Sequence, residues 1–84
     1  MINKFVIYRG RKKLSGFHDG DISGVFRFRT TQWYSFSTKE EALDFIKRIK
    51  EKVNDSKNVA RWGRYAKLHQ AVARNLKVGE DDLL

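Results

Sequence analysis

The chain has 84 residues, a net charge of +8 from 18 Lys and Arg against 10 Asp and Glu, and no cysteine. That length suffices for one domain with a small core, and leaves little room for a deep catalytic pocket. The lack of cysteine in the sequence excludes disulfides, a thiolate nucleophile and a cysteine-based metal site, and is typical of the reducing cytosol.

Other features of the composition bear on compartment and partners. The sequence has no run of 18 apolar residues for a membrane helix, and its first residues have too short an apolar run for a signal peptide. A hydrophobic fraction of 40% is typical of a folded chain. We therefore expect a soluble cytoplasmic protein with a single domain over residues 1–84. The positive charge favours nucleic acid, an anionic membrane or an acidic protein as partner.

Alternation of polar and apolar residues predicts strands in the first half of the chain. Asn3–Arg9 is rich in β-branched and aromatic residues, and a strand resumes at Leu14–His18 after a basic, glycine-bracketed turn. Ile22–Thr30 and Gln32–Ser37 also alternate. The pattern leaves open which face of Ile22–Thr30 meets solvent, because a slip of one residue exchanges the faces.

The second half of the chain predicts two helices. Thr38 and Glu41 form a T-x-x-E capping pattern, which predicts a helix from about Lys39 to Val53. Its predicted apolar side consists of Ala42, Phe45, Ile46, Ile49 and Val53. A second helix is predicted from its cap at Ser56 to about Lys77, with Gly79 ending it. Its apolar side consists of Trp62, Tyr65, Ala66, His69, Val72, Ala73 and Leu76. We expect this side to pack on the sheet, on the first helix or on a second copy of the chain.

These elements together predict an α+β fold, in which a small three-stranded antiparallel sheet is packed on one face by two C-terminal helices. The sheet takes residues 1–37, the helices take residues 38–78, and residues 79–84 form an acidic tail. We expect the tail either to be frayed or to fold back on the cationic helix.

Basic residues form three clusters: one in the first turn, one on a predicted sheet face and one on the second helix. The candidate phosphate-binding residues are Arg9, Arg11, Lys12, Lys13, Arg27, Arg29, Lys57, Arg61, Arg64, Lys67 and Arg74. Basic side chains gain affinity for a polyanion by releasing its counterions, and Trp33 is a candidate to stack on an unpaired base. The alternative is a solvated cationic surface on which Trp33 only covers the edge of the core.

The third cluster is unusual because residues 56–78 contain six Lys or Arg and no acid. Like charges three or four positions apart on a helix, such as Lys57 and Arg61, cost about 0.2–0.5 kcal/mol per pair. Gly63 inside a helix costs about 1 kcal/mol more than alanine. A bound polyanion would remove the repulsion, and this favours nucleic acid as the partner.

Candidate catalytic residues are few. His18, Asp19 and Asp21 lie close together in sequence, and we interpret them as a turn, with a metal site or an acid–base pair as the alternative. His69 has no ligand-type residue at helical spacing. Because no set of nucleophile, base and acid is recognisable, we predict no enzyme, no cofactor and no metal site.

Two segments resemble a known family. KFVIYRGRKKLSGFHD (Lys4–Asp19) resembles the first strand and Gly-Arg loop of the small RNA/DNA-hybrid-binding domain at the N-terminus of ribonuclease H, also called viroplasmin-like. YSFSTKEEALDFI (Tyr34–Ile46) is similar to its closing strand and capped helix. The resemblance implies a three-stranded sheet that binds nucleic-acid backbones, with Gly10 and Arg11 in the binding loop. Residues 20–33 depart from the family, which has a short helix there, and the second helix has no counterpart.

In size, charge and lack of cysteine the chain is also similar to the small basic accessory proteins of T-even phages, which include an antitoxin against an endoribonuclease toxin. We therefore predict a non-catalytic RNA-binding protein, with a phage-encoded inhibitor or antitoxin as the alternative. In the alternative, the positive surface would speed association with a host nuclease or its RNA. The predicted partners are RNA or single-stranded nucleic acid, a host nuclease or toxin, and a second copy of the chain. A membrane is disfavoured because the alanines of the second helix suit helix packing.

Overall fold

The computed structural model describes residues 4–22, 24–29 and 32–81, and its fold is α+β. In chain order the elements are β1 (Lys4–Arg9), β2 (Lys12–Phe17), β3 (Phe26–Arg29), α1 (Lys39–Asn54), α2 (Ser56–Trp62), a 3-10 turn (Gly63–Tyr65), α3 (Ala66–Arg74) and β4 (Lys77–Asp81). Within the described residues the strands form one antiparallel sheet in the order β3-β2-β1-β4.

The hairpin of β1 and β2 is closed by the two-residue turn Gly10–Arg11. Gly10 has a φ of +63°, a value that favours glycine because other residues meet their own Cβ there. The turn fixes the register in which Tyr8 faces Lys13. The side chains next to the turn are thereby assigned to one face of the sheet, and a register shift between Leu14 and Gly16 interrupts the alternation farther along β2.

The chain between β3 and α1 lies where β1 and β2 diverge. The Tyr34 amide donates to the Leu14 carbonyl at 3.1 Å, while Phe36 and Phe5 exchange amide–carbonyl bonds of 2.8 and 2.9 Å. The prediction of a strand at Gln32–Ser37 is therefore wrong. This segment forms one isolated bridge, because it bonds to β1 at one point and to β2 at another instead of pairing with one strand along its length.

The sheet differs from the prediction at two further places. The predicted strand Ile22–Thr30 is shorter, since β3 spans only its second half, and Ser23 and Thr30 lie outside the described residues. The sheet also has a fourth strand, β4, where the sequence predicted the end of a helix and an acidic tail. Glycine and acids disfavour strands, but pairing along five residues of β1 overrides that preference.

Helix α1 confirms its prediction. The Thr38 hydroxyl accepts from the Glu41 amide at 3.2 Å, which satisfies one of the free amides of the first turn. The predicted apolar side is buried at Ala42, Ile46, Ile49 and Val53. This stripe places α1 against the sheet and against α3. Of the helices among the described residues, none has the length and apolar character required to span a membrane.

The predicted second helix is interrupted. Asp55, not Ser56, is its cap, since the Asp55 carboxylate accepts from the Lys57 amide at 3.1 Å. Gly63 has a φ of +59°, where a right-handed helix cannot continue, so α2 ends before it and α3 begins after a 3-10 turn. Helix α3 ends at Arg74 rather than near Lys77, because the chain there enters β4.

The core lies between the sheet and the three helices. Its buried members are Ile7, Leu14, Val25, Ile46, Ile49, Val53, Trp62, Ala66, Ala73 and Leu76. The apolar side predicted for the second helix thus packs inside the chain, from Trp62 to Leu76. Tyr65 on this side is only half-buried, and the homodimer through these residues stays a prediction.

Candidate nucleic-acid interface

Two aromatic residues of β3 decide which way its arginines point. Phe26 and Phe28 pack against the core on the face that the helices cover. Because successive side chains of a strand alternate, Arg27 and Arg29 lie on the opposite face, where both are exposed. We call this face the outer face of the sheet.

A row of side chains crosses the four strands on the outer face. Register places Lys77 opposite Tyr8, Tyr8 opposite Lys13, and Lys13 opposite Arg29. Neighbouring strands are about 4.8 Å apart, so these four side chains start within roughly 15 Å of each other. We call Lys77, Tyr8, Lys13 and Arg29 the outer row. It combines three cations and one phenol ring.

Aromatic rings are held at the outer row by specific contacts. The Lys13 ammonium lies 3.8 Å from the centre of the Trp33 ring, a cation–π distance. The Tyr8 ring lies over Gly79, where an added Cβ would come within 2.7 Å of it. Its hydroxyl donates to the Glu80 carbonyl at 3.4 Å. Trp33 and Tyr8 are both partly exposed.

A second basic feature is a groove at the turn end of the hairpin, with a volume of about 670 Å³. We call it the hairpin groove. It is lined by Tyr8, Arg9, Gly10, Lys12, Phe28, Asn75 and Lys77. Three of these residues are cations and none is an acid. Tyr8 and Lys77 belong to both features, whereas Arg9 and Lys12 alternate with Tyr8 and Lys13 and therefore lie on the helix-covered face of the sheet.

Like charges face each other directly in this part of the sheet. Arg9 is paired with Lys12 across the hairpin, and Lys13 is paired with Arg29 across β2 and β3. Directly opposite like charges destabilise a sheet, by amounts comparable to the roughly 0.2–1 kcal/mol that a favourable pair contributes. The sheet therefore places cations opposite each other, as the sequence predicted for the second helix. A bound polyanion would relieve the repulsion between these cations.

The helical cluster is less uniform than the sequence predicted. Because the helix breaks at Gly63, its cations do not lie along one continuous helix. Arg64 contacts its neighbour, with its guanidinium carbon 5.3 Å from the Tyr65 ring centre. The remaining members, Lys57, Lys67 and Arg74, are exposed. Their role in binding stays a prediction.

Arg61 has a structural contact that the sequence did not reveal. Its guanidinium donates to the Asp19 carbonyl and, at 2.5 Å, to the Asn58 amide oxygen. Nearby, the Lys52 ammonium lies 3.3 Å from the Asp19 carboxylate. Arg61 thus attaches the loop before β3 to α2.

The same loop is held at two more points. The Trp62 indole donates to the Asp21 carbonyl at 2.8 Å, and the buried His69 ring nitrogen Nε2 lies 2.8 Å from the Ile22 carbonyl. These contacts agree with the interpretation of His18, Asp19 and Asp21 as a turn. Within residues 4–22, 24–29 and 32–81, no group of three His, Asp or Glu side chains is placed to hold a metal.

We expect Arg61→Gln to destabilise the fold without weakening RNA binding. The loss of the loop contact should cost about 1 kcal/mol, because hydrogen bonds of this kind contribute that much net. Chemical denaturation and an RNA titration would measure the two effects. Lys67→Gln removes the same charge from an exposed site and should leave stability unchanged. If Arg61→Gln binds RNA more weakly under conditions in which the variant is fully folded, Arg61 belongs to the interface instead.

Tyr8, Phe28 and Lys77 belong to the basic surface but were not predicted. Tyr8 alternates with Ile7 in the sequence, so its place on the outer face follows once β1 is assigned. Lys77 had no such signal, because it was assigned to the end of a helix. Its place depends on β4, which pairs with the first strand from the far end of the chain.

Comparison of the chain with protein-family models, with curated proteins and with solved structures finds no match. The resemblance to the hybrid-binding domain of ribonuclease H therefore stays a hypothesis.

Proposed function

We propose that this protein is a non-catalytic RNA-binding protein that holds a single-stranded segment on its outer row and hairpin groove. The outer row carries the proposal, because strand register alone brings Lys77, Lys13 and Arg29 together beside Tyr8. Cations in this arrangement contact successive phosphates and release condensed counterions. Arg9, Arg11 and Lys12 add positive charge at the turn, with Arg9 and Lys12 on the helix-covered face.

The aromatic residues favour a single strand over a duplex. In a duplex the bases are stacked on each other and their faces are closed, whereas an unpaired base can stack on a protein ring. Tyr8 and Trp33 are partly exposed beside the cations. Stacking on such rings contributes about 1–3 kcal/mol per base. RNA is proposed because proteins recognise RNA mainly through unpaired bases. The resemblance of Lys4–Asp19 is to a domain that binds an RNA/DNA hybrid, so single-stranded DNA is the alternative ligand.

The salt dependence of binding tests this proposal. A fluorescent single-stranded RNA of mixed sequence is titrated with protein at several salt concentrations. We expect the logarithm of the affinity to fall linearly with the logarithm of salt, with a slope of about −0.7 for each phosphate contacted. A slope of about −4 would fit the three cations of the outer row together with the three of the turn.

Two matched ligands sharpen the result. Duplex RNA of the same sequence should bind more weakly, because its base faces are closed, and single-stranded DNA separates a preference for ribose. Binding that does not respond to salt would contradict the proposal. Protein that binds no RNA but copurifies with one nuclease would support the inhibitor hypothesis instead.

A further inference from the structure

A second cavity lies beside the hairpin groove, between β3 and α3. Its volume is about 190 Å³, and it is lined by Arg9, Phe26, Phe28, Leu68, His69 and Val72. We call it the aromatic cavity. Arg9 and Phe28 line both it and the hairpin groove, so the two spaces adjoin.

The two spaces differ in chemistry. The hairpin groove has three cations on its walls, whereas the aromatic cavity has rings and aliphatic side chains with one cation, Arg9, at the boundary. The Arg9 guanidinium carbon is 5.8 Å from the centre of the Phe28 ring. A ligand that fills both spaces would therefore need an anionic part joined to a flat apolar part.

The walls of the aromatic cavity are already in place. The rings of Phe26 and Phe28 are 6.3 Å apart and stacked, and the Phe26 ring is 6.2 Å from that of His69. His69 is in turn fixed by its contact with the Ile22 carbonyl. A site whose walls are fixed before binding loses less entropy when the ligand enters.

Leu68 is exposed at the same place. Its side chain is 54% accessible, although it lies on α3 beside the phenylalanines. The cavity is also smaller than the roughly 300–1,000 Å³ typical of sites for whole small molecules. It is therefore suited to one flat group of a larger ligand whose remainder lies in the hairpin groove.

We infer that the aromatic cavity and the hairpin groove together bind one unstacked nucleotide, with its base against Phe28 and Leu68 and its phosphate among Arg9, Lys12 and Lys77. The inference rests on the proposed function and names the part of the strand that enters this side of the protein. The outer row would then hold the phosphates that continue from this nucleotide around the hairpin.

The inference is tested by NMR titration of ¹⁵N-labelled protein with three separate probes: adenosine 5′-monophosphate, adenosine and inorganic phosphate. The monophosphate should shift amide signals on both sides, at Gly10 and at Leu68. Adenosine should shift those at Leu68 and phosphate those at Gly10. Monophosphate signals confined to Gly10, or absent from both places, would overturn the inference.

A matched pair of variants tests the aromatic cavity separately. Leu68→Gln should weaken monophosphate binding about fivefold or more, since it removes apolar contact with the base. Leu43→Gln alters a leucine of similar exposure, 49%, on α1 and should have no effect. Equal affinities for both variants would also overturn the inference.

The parent protein and the Leu68→Gln variant also distinguish failure of the nucleotide site from failure of the proposed function. If single-stranded RNA still binds with a steep salt slope while the monophosphate leaves the Leu68 signal unmoved, the inference is wrong and the proposed function stands. If neither RNA nor the monophosphate binds, the proposed function fails as well. Weaker RNA binding by Leu68→Gln, with an unchanged salt slope, would support the inference.

Discussion

Replacing Trp62 by alanine should lower the free energy of unfolding by about 3–5 kcal/mol, the usual cost of removing a large buried aromatic side chain. Trp62 is 2% exposed, and its ring packs edge-on against His69 with the ring centres 4.9 Å apart. Since small domains are stable by about 5–15 kcal/mol, with short chains at the lower end, the variant should be largely unfolded near 37 °C. Urea denaturation followed by circular dichroism measures the change.

A smaller replacement separates packing from hydrogen bonding at this site. Trp62→Phe keeps most of the apolar volume but leaves the Asp21 carbonyl without its indole donor, which should cost about 1–3 kcal/mol. Trp33→Phe serves as the matched control, because Trp33 is only half-buried, and we expect a cost below about 1 kcal/mol. Equal costs for the two tryptophans would show that the contact between Trp62 and the loop does not hold the fold together.

The sequence predicted best those elements that local patterns define. The capping residues Thr38 and Glu41, with the apolar stripe after them, give the whole of α1. The assignment of Trp62 to the core was also right, because an aromatic residue on the apolar side of a helix has few other places to go. The strand β1 and the basic turn after it were predicted within a few residues.

The elements that were missed depend on contacts distant in sequence. Residues Lys77–Asp81 have low strand preference, and only their pairing with β1, near the other end of the chain, makes them a strand. Gly63 was recognised as costly inside a helix, but its positive φ, which ends α2, was not predicted. A sequence pattern contains neither kind of information.

The residues of the candidate interface also divide into those that local sequence predicted and those that depend on distant contacts. Its turn residues were predicted because they cluster in sequence, whereas the outer row joins residues from four strands. Lys77 and Arg29 enter it through register alone. Arg61 shows the reverse case, since its guanidinium is bonded to a loop carbonyl that the sequence did not reveal, and its role in binding stays a prediction. Composition predicted the charge of the surface, and only the fold determines which charges lie together.

The double variant Lys13→Gln/Arg29→Gln should weaken binding to single-stranded RNA about 15-fold at 0.15 M salt and reduce the salt slope by about 1.4. These values follow from the loss of two phosphate contacts, each of which contributes about 0.7 to the slope on a single strand. The stability of the variant should change little, because relief of the repulsion between Lys13 and Arg29 offsets the loss of the contact between Lys13 and the Trp33 ring. RNA titrations at several salt concentrations and a denaturation curve measure both effects.

The matched control for this variant is Lys47→Gln/Lys50→Gln, which removes the same net charge from exposed positions of α1. If a local surface binds the strand, the control should keep the parent slope and nearly the parent affinity. If net charge alone attracts RNA, both double variants should weaken binding equally, and the outer row would not be the interface. A stability gain confined to Lys13→Gln/Arg29→Gln, together with its loss of affinity, would show that the sheet keeps opposed cations at a cost to folding that RNA binding offsets.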